Sequence, residues 1–313
     1  MAVLRTAVIG VGYLGRFHAQ KYHQLPNSQL VGVMDTHPDR RQAVAQELGV
    51  PAFADLDTLL PLVDAVSIAA PTTLHHQVGL KCLEAGKHVL MEKPIASNAV
   101  QAQELVSLAQ AKGLVLQVGF LERFNPAFVK AAPMVANPQF IEALRISPFK
   151  ERGHDVDVVL DLMIHDLDLV FALVDAPLKS LHAVGTSLMT QQTDLANVRL
   201  VFENGAVATL TASRISAKAE RKFRVFQHHR YLSMDLGGPS LKVYSAMAQA
   251  GEPPPVQEES FALEKGDALK DEIQAFLQAV QGQSPTIASG ETALHTLHVA
   301  ERIIQDISHN RMP

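Results

Sequence analysis

The chain has 313 residues, 47% of them apolar and 19% charged, with a formal net charge of −5. That length suits about two domains of roughly 150 residues, the apolar fraction supplies a substantial core, and the mild acidity offers no footprint for nucleic acid or an anionic membrane surface. With no apolar run near the roughly 18 residues of a membrane span, no signal-peptide pattern in Met1-Ala-Val-Leu-Arg-Thr6 and a single cysteine, Cys82, the expectation is a cytoplasmic protein without internal disulfides that binds neither nucleic acid nor membrane.

Residues 3–9 read as a buried strand ending at Gly10, and 13–25 as a helix. A strand over 29–34 stops at Asp35, and Pro38 opens a helix over 38–48. The same alternation continues with a strand at 64–69, a helix at 73–85 stopped by Gly86, a strand at 88–92, a helix at 98–112 and a strand at 114–120. Strands and helices in this rhythm predict α/β architecture with a parallel sheet, a Rossmann-type domain over 1–120. Beyond residue 120 the rhythm changes. A largely apolar helix is expected over 155–174, and strands dominate 178–245. Asn204-Gly205 between two such runs predicts a type I′ hairpin. Residues 251–256 read as a loop, and helices over 268–281 and 290–309 close the chain. The second domain, 121–313, is therefore expected to be α+β on an open antiparallel sheet, with the last helix available to pack back on the first domain.

Gly10-Val11-Gly12-Tyr13-Leu14-Gly15 matches G-x-G-x-x-G between a strand and a helix, the context the motif requires. The first glycine makes the turn, the second admits the pyrophosphate, and the third lets helix and strand pack. The helix N-terminus then faces the phosphates. Asp35, twenty positions after Gly15, ends the second strand, where an acid accepts from the adenosine ribose hydroxyls. Its charge favours NAD over NADP, with Arg40 and Arg41 close enough to soften that preference. Pro71-Thr72-Thr73-Leu74-His75 follows the third strand and so lies on the same sheet edge.

Glu92-Lys93-Pro94 follows a buried strand, which places Lys93 at the carboxyl edge where ligands bind in this architecture. Pro94 restricts its neighbour to extended backbone. A lysine there can hold a hydroxyl and stabilise a developing alkoxide; an exposed loop lysine is the alternative. Asp157, Asp161, His165 and Asp168 are spaced four, four and three apart, which predicts one helix face. His165 suits a general base and a nearby carboxylate can orient it; metal ligation or a structural polar stripe are the alternatives. His228-His229 is read as structural, since adjacent strand residues face opposite ways.

These residues together resemble the Gfo/Idh/MocA family of NAD(P)-dependent sugar oxidoreductases. The resemblance rests on Gly10–Gly15, Pro71–His75, Glu92-Lys93-Pro94, Arg123-Phe-Asn-Pro126, Asp161–His165 and the late Gly290-Glu291-Thr-Ala-Leu294. It implies catalytic roles for Lys93, Asp161 and His165, with His165 as acid/base. It also implies a cofactor site at Gly10, Gly12, Tyr13, Leu14, Gly15, Asp35, Pro71, Thr72, His75, Glu92 and Lys93, no metal, and a homodimer or homotetramer assembled through the second sheet. Met163 stands where many members have glycine, which is expected to narrow the pocket or alter helix packing. The stretches 140–149 and 155–165, the latter beginning at Asp155, are similar to a subgroup linked to lipid A biosynthesis. That similarity implies NAD-dependent oxidation of a secondary sugar hydroxyl, the 3-hydroxyl of UDP-N-acetylglucosamine. A dehydrogenase of a free polyol or aldose, or an NAD-binding regulator without catalysis, are the alternatives.

Overall fold

The computed structural model describes residues 3–149, 156–246 and 255–310. Asp155 of the motif stretch and residues 251–254 of the expected loop lie outside the described residues. The chain forms two compact units: one runs to Leu121 and includes Asp267–Leu297, the other takes Glu122–Gly266 and the residues from His298 onward.

The first unit alternates strand and helix as the sequence predicts. Its elements are β1 (Leu4–Ile9), α1 (Tyr13–Gln24), β2 (Ser28–Met34), α2 (Pro38–Leu48), β3 (Ala52–Phe53), α3 (Leu56–Leu59), β4 (Ala65–Ile68), α4 (Thr72–Glu84), β5 (His88–Met91), α5 (Ala99–Ala111) and β6 (Leu116–Val118). The strands form one six-stranded sheet in the order β3-β2-β1-β4-β5-β6, parallel throughout. Strands covered on both faces read as continuous apolar runs, and all four residues of β4 are buried. The two-residue β3 was not anticipated, being too short to carry a pattern. Register aligns the strand ends: Ile9 lies opposite Met34 and Ile68, and Ile68 opposite Met91. Gly10, Asp35, Ala69 and Glu92 therefore leave the sheet along a single edge.

The second unit contains α6 (Pro126–Ala131), β7 (Phe140–Ile146), a π-helical turn over Val159–Met163 that runs into α7 (Ile164–Leu173), and β8 (Leu178–Thr186), β9 (Leu195–Phe202), β10 (Val207–Ser213), β11 (Glu220–Gln227), β12 (Arg230–Asp235), β13 (Ser240–Ala246) and β14 (Val256–Ala262). Eight strands pair in the order β14-β13-β12-β11-β7-β10-β9-β8. The sheet is mixed rather than wholly antiparallel, because β7 lies parallel to β10 and antiparallel to β11. One face packs on the helical segment: Met163, Leu167 and Val170 share a core with Ala143, Val198, Leu210 and Val225.

Three local expectations change. The Asn204-Gly205 turn is not type I′, which needs positive φ at both central residues. Only Gly205, at φ +84°, is left-handed there. Its N–H bonds Phe202 O at 3.0 Å, and the Asn204 side chain accepts from Ala206 N–H. His228 and His229 form the turn between β11 and β12, with ring centroids 3.7 Å apart, rather than pointing to opposite faces of a strand. The helix expected over 155–174 begins with the π turn, in which i→i+5 bonding widens the coil.

The chain then returns through α8 (Ala268–Val280) and α9 (Gly290–Asn310). Ile273, Phe276 and Leu277 of α8 join the core formed by Val8, Ala19, Val33 and Leu90. Residues 267–297, expected in the second domain, thus pack with the first unit, and α9 changes units after Leu297. No described helix is long and apolar enough to cross a membrane.

Candidate active site

The aligned edge of the first sheet builds the glycine loop. Gly10 has φ +84°, its N–H donates to Met34 O at 2.7 Å, and a Cβ there would lie 2.8 Å from Ala70 N. A Cβ on Gly15 would lie 1.8 Å from Gly10 O, whereas one on Gly12 would meet nothing within 4 Å. The loop is thus closed at its two outer glycines and open above the central one. Gly12 caps α1 with no side-chain hydrogen bond, so the backbone N–H groups of Tyr13 and Leu14 and the positive end of the helix dipole lie at that opening.

Asp35 is 7% exposed. Its Oδ2 accepts from Val11 N–H at 2.9 Å and its Oδ1 from His37 N–H at 2.8 Å. The carboxylate therefore locks the glycine loop to the end of β2, and each oxygen keeps a further lone pair for a hydroxyl. Arg41 folds onto the carbonyls of Asp35 and Thr36, at 3.2 and 3.3 Å. These features fit a dinucleotide: space where the pyrophosphate needs it, an N-terminus facing that space, and an acid beside it.

Pro71 and Thr72 open α4 on the same edge. His75, on the first turn of α4, is buried; its ring nitrogens lie 2.8 Å from Pro94 O and 2.9 Å from Ala70 O. Burial pushes its pKa down against those contacts and the Glu92 charge. Its imidazole sits between two segments, so a cofactor contact from His75 itself would come through its backbone. Lys93, joined to Pro94 by a cis peptide, is half-buried. Glu92 buries its carboxylate, at 7% exposure. Oε1 lies 2.9 Å from His18 Nε2, and Oε2 accepts from Lys93 N–H at 3.3 Å. Burial disfavours the charged carboxylate, but the His18 hydrogen bond and the neighbouring charges, Lys93 included, outweigh it and hold the group below the usual range.

In the second unit the four-residue face divides. Asp157 is a cap: its Oδ1 accepts from Val159 N–H at 2.9 Å, and its carbonyl from Leu160 and Asp161 N–H. Asp168 is fully buried and accepts both arms of Arg123, at 2.5 and 2.8 Å. Both oxygens of Asp168 are thus committed to Arg123. Asp161, in the π turn, and His165, on the first turn of α7, remain half-buried one turn apart. Met163 is fully buried in the core, so its bulk beyond glycine goes into packing rather than into a pocket. Among the described residues, no group of three or more His, Cys, Asp or Glu is placed to hold a metal ion.

Sequence reasoning missed the residues behind the site. Gly15, His18, Ala19 and Tyr22 form the buried stripe of α1 at spacings of three, one and three. A histidine and a tyrosine on such a stripe were the available signal. Arg145 was also missed. Buried in β7, it bonds both oxygens of Asp166 at 2.8 and 2.9 Å and Glu122 at 2.7 Å. Those carboxylates outweigh burial and keep its guanidinium strongly basic.

A parallel sheet with this glycine loop, acid and strand-end lysine defines a nicotinamide-dinucleotide oxidoreductase. The profile described as an oxidoreductase family with an NAD-binding Rossmann fold matches residues 4–120, and that of the GFO/IDH/MocA C-terminal domain matches residues 144–232. The chain belongs to the Gfo/Idh/MocA family. It is 41% identical over 306 residues to UDP-N-acetylglucosamine 3-dehydrogenase of Acidithiobacillus ferrooxidans, covering 97% of both chains. It is 30% identical over 232 residues to scyllo-inositol 2-dehydrogenase (NAD(+)) of Bacillus subtilis, covering 68% of each. A solved structure of the Acidithiobacillus enzyme superimposes with a TM-score of 0.91 at 40% identity over 99% of each chain. GenD2 from gentamicin A biosynthesis, solved with NAD, shares the fold at 20% identity, with a TM-score of 0.83 over 99% of this chain and 96% of that one.

Proposed function

We propose that the protein oxidises the 3-hydroxyl of UDP-N-acetylglucosamine with NAD. The observation that carries this reading is the end-to-end 41% identity with a UDP-N-acetylglucosamine 3-dehydrogenase, against 30% over a shorter stretch with the inositol enzyme. His165 takes the hydroxyl proton as the C3 hydrogen leaves with its electron pair, giving a ketone. Lys93 donates a hydrogen bond to the same oxygen and offsets its developing charge. Asp161, one turn from His165, orients the imidazole or the sugar. NAD, when bound, supplies the hydride acceptor. The loop Gly10–Gly15 holds its pyrophosphate, and Asp35 takes the ribose hydroxyls and disfavours a 2′-phosphate. Pro71 and Thr72 line the same edge.

A UDP-N-acetylglucosamine substrate supports the further reading of a cytoplasmic enzyme at a step that feeds amino-sugar formation for lipid A. The second sheet supports a homo-oligomer. Phe140, Phe226, Tyr231 and Tyr244 stand in register on four adjacent strands, with successive ring centroids 5.6, 4.5 and 5.3 Å apart. All four are half-buried, on the face opposite the core.

The test is steady-state NAD reduction with UDP-N-acetylglucosamine, N-acetylglucosamine, scyllo-inositol and myo-inositol. Turnover with the nucleotide sugar alone supports the reading. Turnover confined to an inositol moves the protein to the polyol dehydrogenases, and NAD binding without turnover on any of them moves it to a regulator.

A further inference from the structure

Behind Lys93 lies a buried polar chain with no part in the chemistry proposed above. Tyr22 OH is 2.8 Å from Ser67 Oγ, Ser67 Oγ is 3.1 Å from His18 Nδ1, and His18 Nε2 is 2.9 Å from Glu92 Oε1. Tyr22, Ser67 and His18 are fully buried and Glu92 is 7% exposed. The groups come from α1, from β4 and from the end of β5, so the chain crosses the interior of the sheet–helix layer.

One arrangement satisfies every bond: Tyr22 donates to Ser67, Ser67 donates to Nδ1, and Nε2–H donates to Glu92. Burial pushes the Tyr22 phenol up, which keeps that end a donor. Burying a carboxylate is costly, and a well-packed apolar replacement is often neutral or stabilising. Stability alone therefore gives little reason for this arrangement. Beyond the His18 hydrogen bond, the charges of His18 and of the Lys93 ammonium both attract the Glu92 carboxylate. Glu92 also accepts the backbone N–H of Lys93.

Two further features fix the same segment. Gly119, just beyond β6, gives the carboxylate room: a Cβ there would lie 3.1 Å from Glu92 Oε2. His75 grips the carbonyl of Pro94 from the other side. The titratable groups around Glu92 are thus His18 and, through Ser67, Tyr22 from α1, His75 from α4, and Lys93 itself.

We infer that His18 and Glu92 are a positioning pair for Lys93: His18 fixes the Glu92 carboxylate, and that carboxylate fixes the backbone and steadies the ammonium of the lysine that meets the substrate oxygen. The inference rests on the reading of Lys93 given under Proposed function.

The experiment compares wild type with Glu92→Gln, His18→Gln, His18→Leu, Lys93→Ala and the Glu92→Gln, Lys93→Ala double variant. Three readouts are taken: kcat and KM for UDP-N-acetylglucosamine, NAD affinity by calorimetry, and the pH dependence of Lys93 labelling by an amine reagent in the free protein. Glu92→Gln is expected to lower kcat at least about tenfold with NAD affinity within about twofold, and to shift the Lys93 labelling midpoint down by about one pH unit. His18→Leu should follow it, and His18→Gln, which keeps a donor to the carboxylate, should recover part of the loss. Groups acting as a unit are non-additive, so Glu92→Gln should add little in the Lys93→Ala background. An unmoved labelling midpoint, or equal losses in both backgrounds, overturns the inference and leaves the role of Lys93 standing. Wild-type turnover in Lys93→Ala overturns the role of Lys93 and the inference with it.

Discussion

Arg145 holds both carboxylate oxygens of Asp166, the residue next to His165, at 2.8 and 2.9 Å. With Glu122 on its other arm at 2.7 Å, and with Arg123 on Asp168, the carboxylates of Asp166, Glu122 and Asp168 are committed to arginines. The helix that carries His165 is thereby anchored to β7 and to the Leu121–Phe124 turn. Removing one partner from a buried ion pair strands the others, at about 3–5 kcal/mol. Arg145→Leu should therefore lower unfolding free energy by that amount in urea titration. Arg145→Met combined with Glu122→Gln and Asp166→Asn, which leaves no stranded charge, should recover a good part of the loss.

The glycine loop separates binding from folding. At Gly15 a methyl group would run into Gly10 O, while at Gly12 it would enter open space. Gly12→Ala should melt within a few degrees of wild type yet bind NAD at least about tenfold more weakly, a loss of about 1.4 kcal/mol. Gly15→Ala should lower the melting temperature itself, because α1 cannot then lie against the β1 turn. Thermal melting and calorimetric NAD titration of the two variants check this contrast.

What was legible in the sequence divides along physical lines. The parallel strands bury both faces and sit between capped helices, so their order and ends could be read to within a residue or two. The π turn could not be read, because apolar spacing barely distinguishes it from an α-helix; nor could the partners that set Asp157 and Asp168 apart from Asp161 and His165. Strand β7 was hidden by Arg145, a charge at a buried position of its alternating pattern, and β14 by its run of exposed polar residues. The glycine-loop positions and those proposed as catalytic announced themselves by type and place. Their supports did not: Glu92 pairs with His18 across 74 residues of chain, a relation that only the folded sheet creates.

Asp35 should govern cofactor choice. Its side chain ties Val11 N–H to the strand end, and its charge opposes a 2′-phosphate. Asp35→Asn keeps an acceptor for Val11 while removing the charge. The ratio of NAD to NADP in kcat/KM should fall at least about tenfold, or about 1.4 kcal/mol, while the lost acceptor for His37 N–H lowers the melting temperature. An unchanged ratio would assign the discrimination to other residues.

The aromatic row on the second sheet should be an interface. Tyr231 lies between Phe226 and Tyr244 in that row, and a carboxylate placed there would break the aromatic stack and put a charge into any assembly formed through this face. Tyr231→Glu should lower the molar mass seen by sedimentation equilibrium to that of a single chain. The wild-type protein should sediment as a dimer or tetramer.

Asp194 gives the second unit an acid-sensitive hold. Its Oδ2 accepts N–H bonds from Leu188, Met189 and Thr190, at 2.8, 2.6 and 2.9 Å, and its Oδ1 accepts the Thr190 hydroxyl at 2.7 Å. Burial opposes ionisation, but these donors prevail and bring the carboxyl down to about 2 from 3.8. A folded-state value below the unfolded one means the unfolded chain takes up the proton first. The stabilisation is therefore complete above about pH 4 and is lost as the pH falls toward 2. At 1.36 kcal/mol per unit this is worth about 2 kcal/mol. Asp194→Asn should cost about that much at neutral pH and should flatten the fall in stability between pH 4 and 2 relative to wild type. Urea titrations across that range measure both effects, and parallel pH curves for the two proteins would show that the loop is held by something other than this carboxylate.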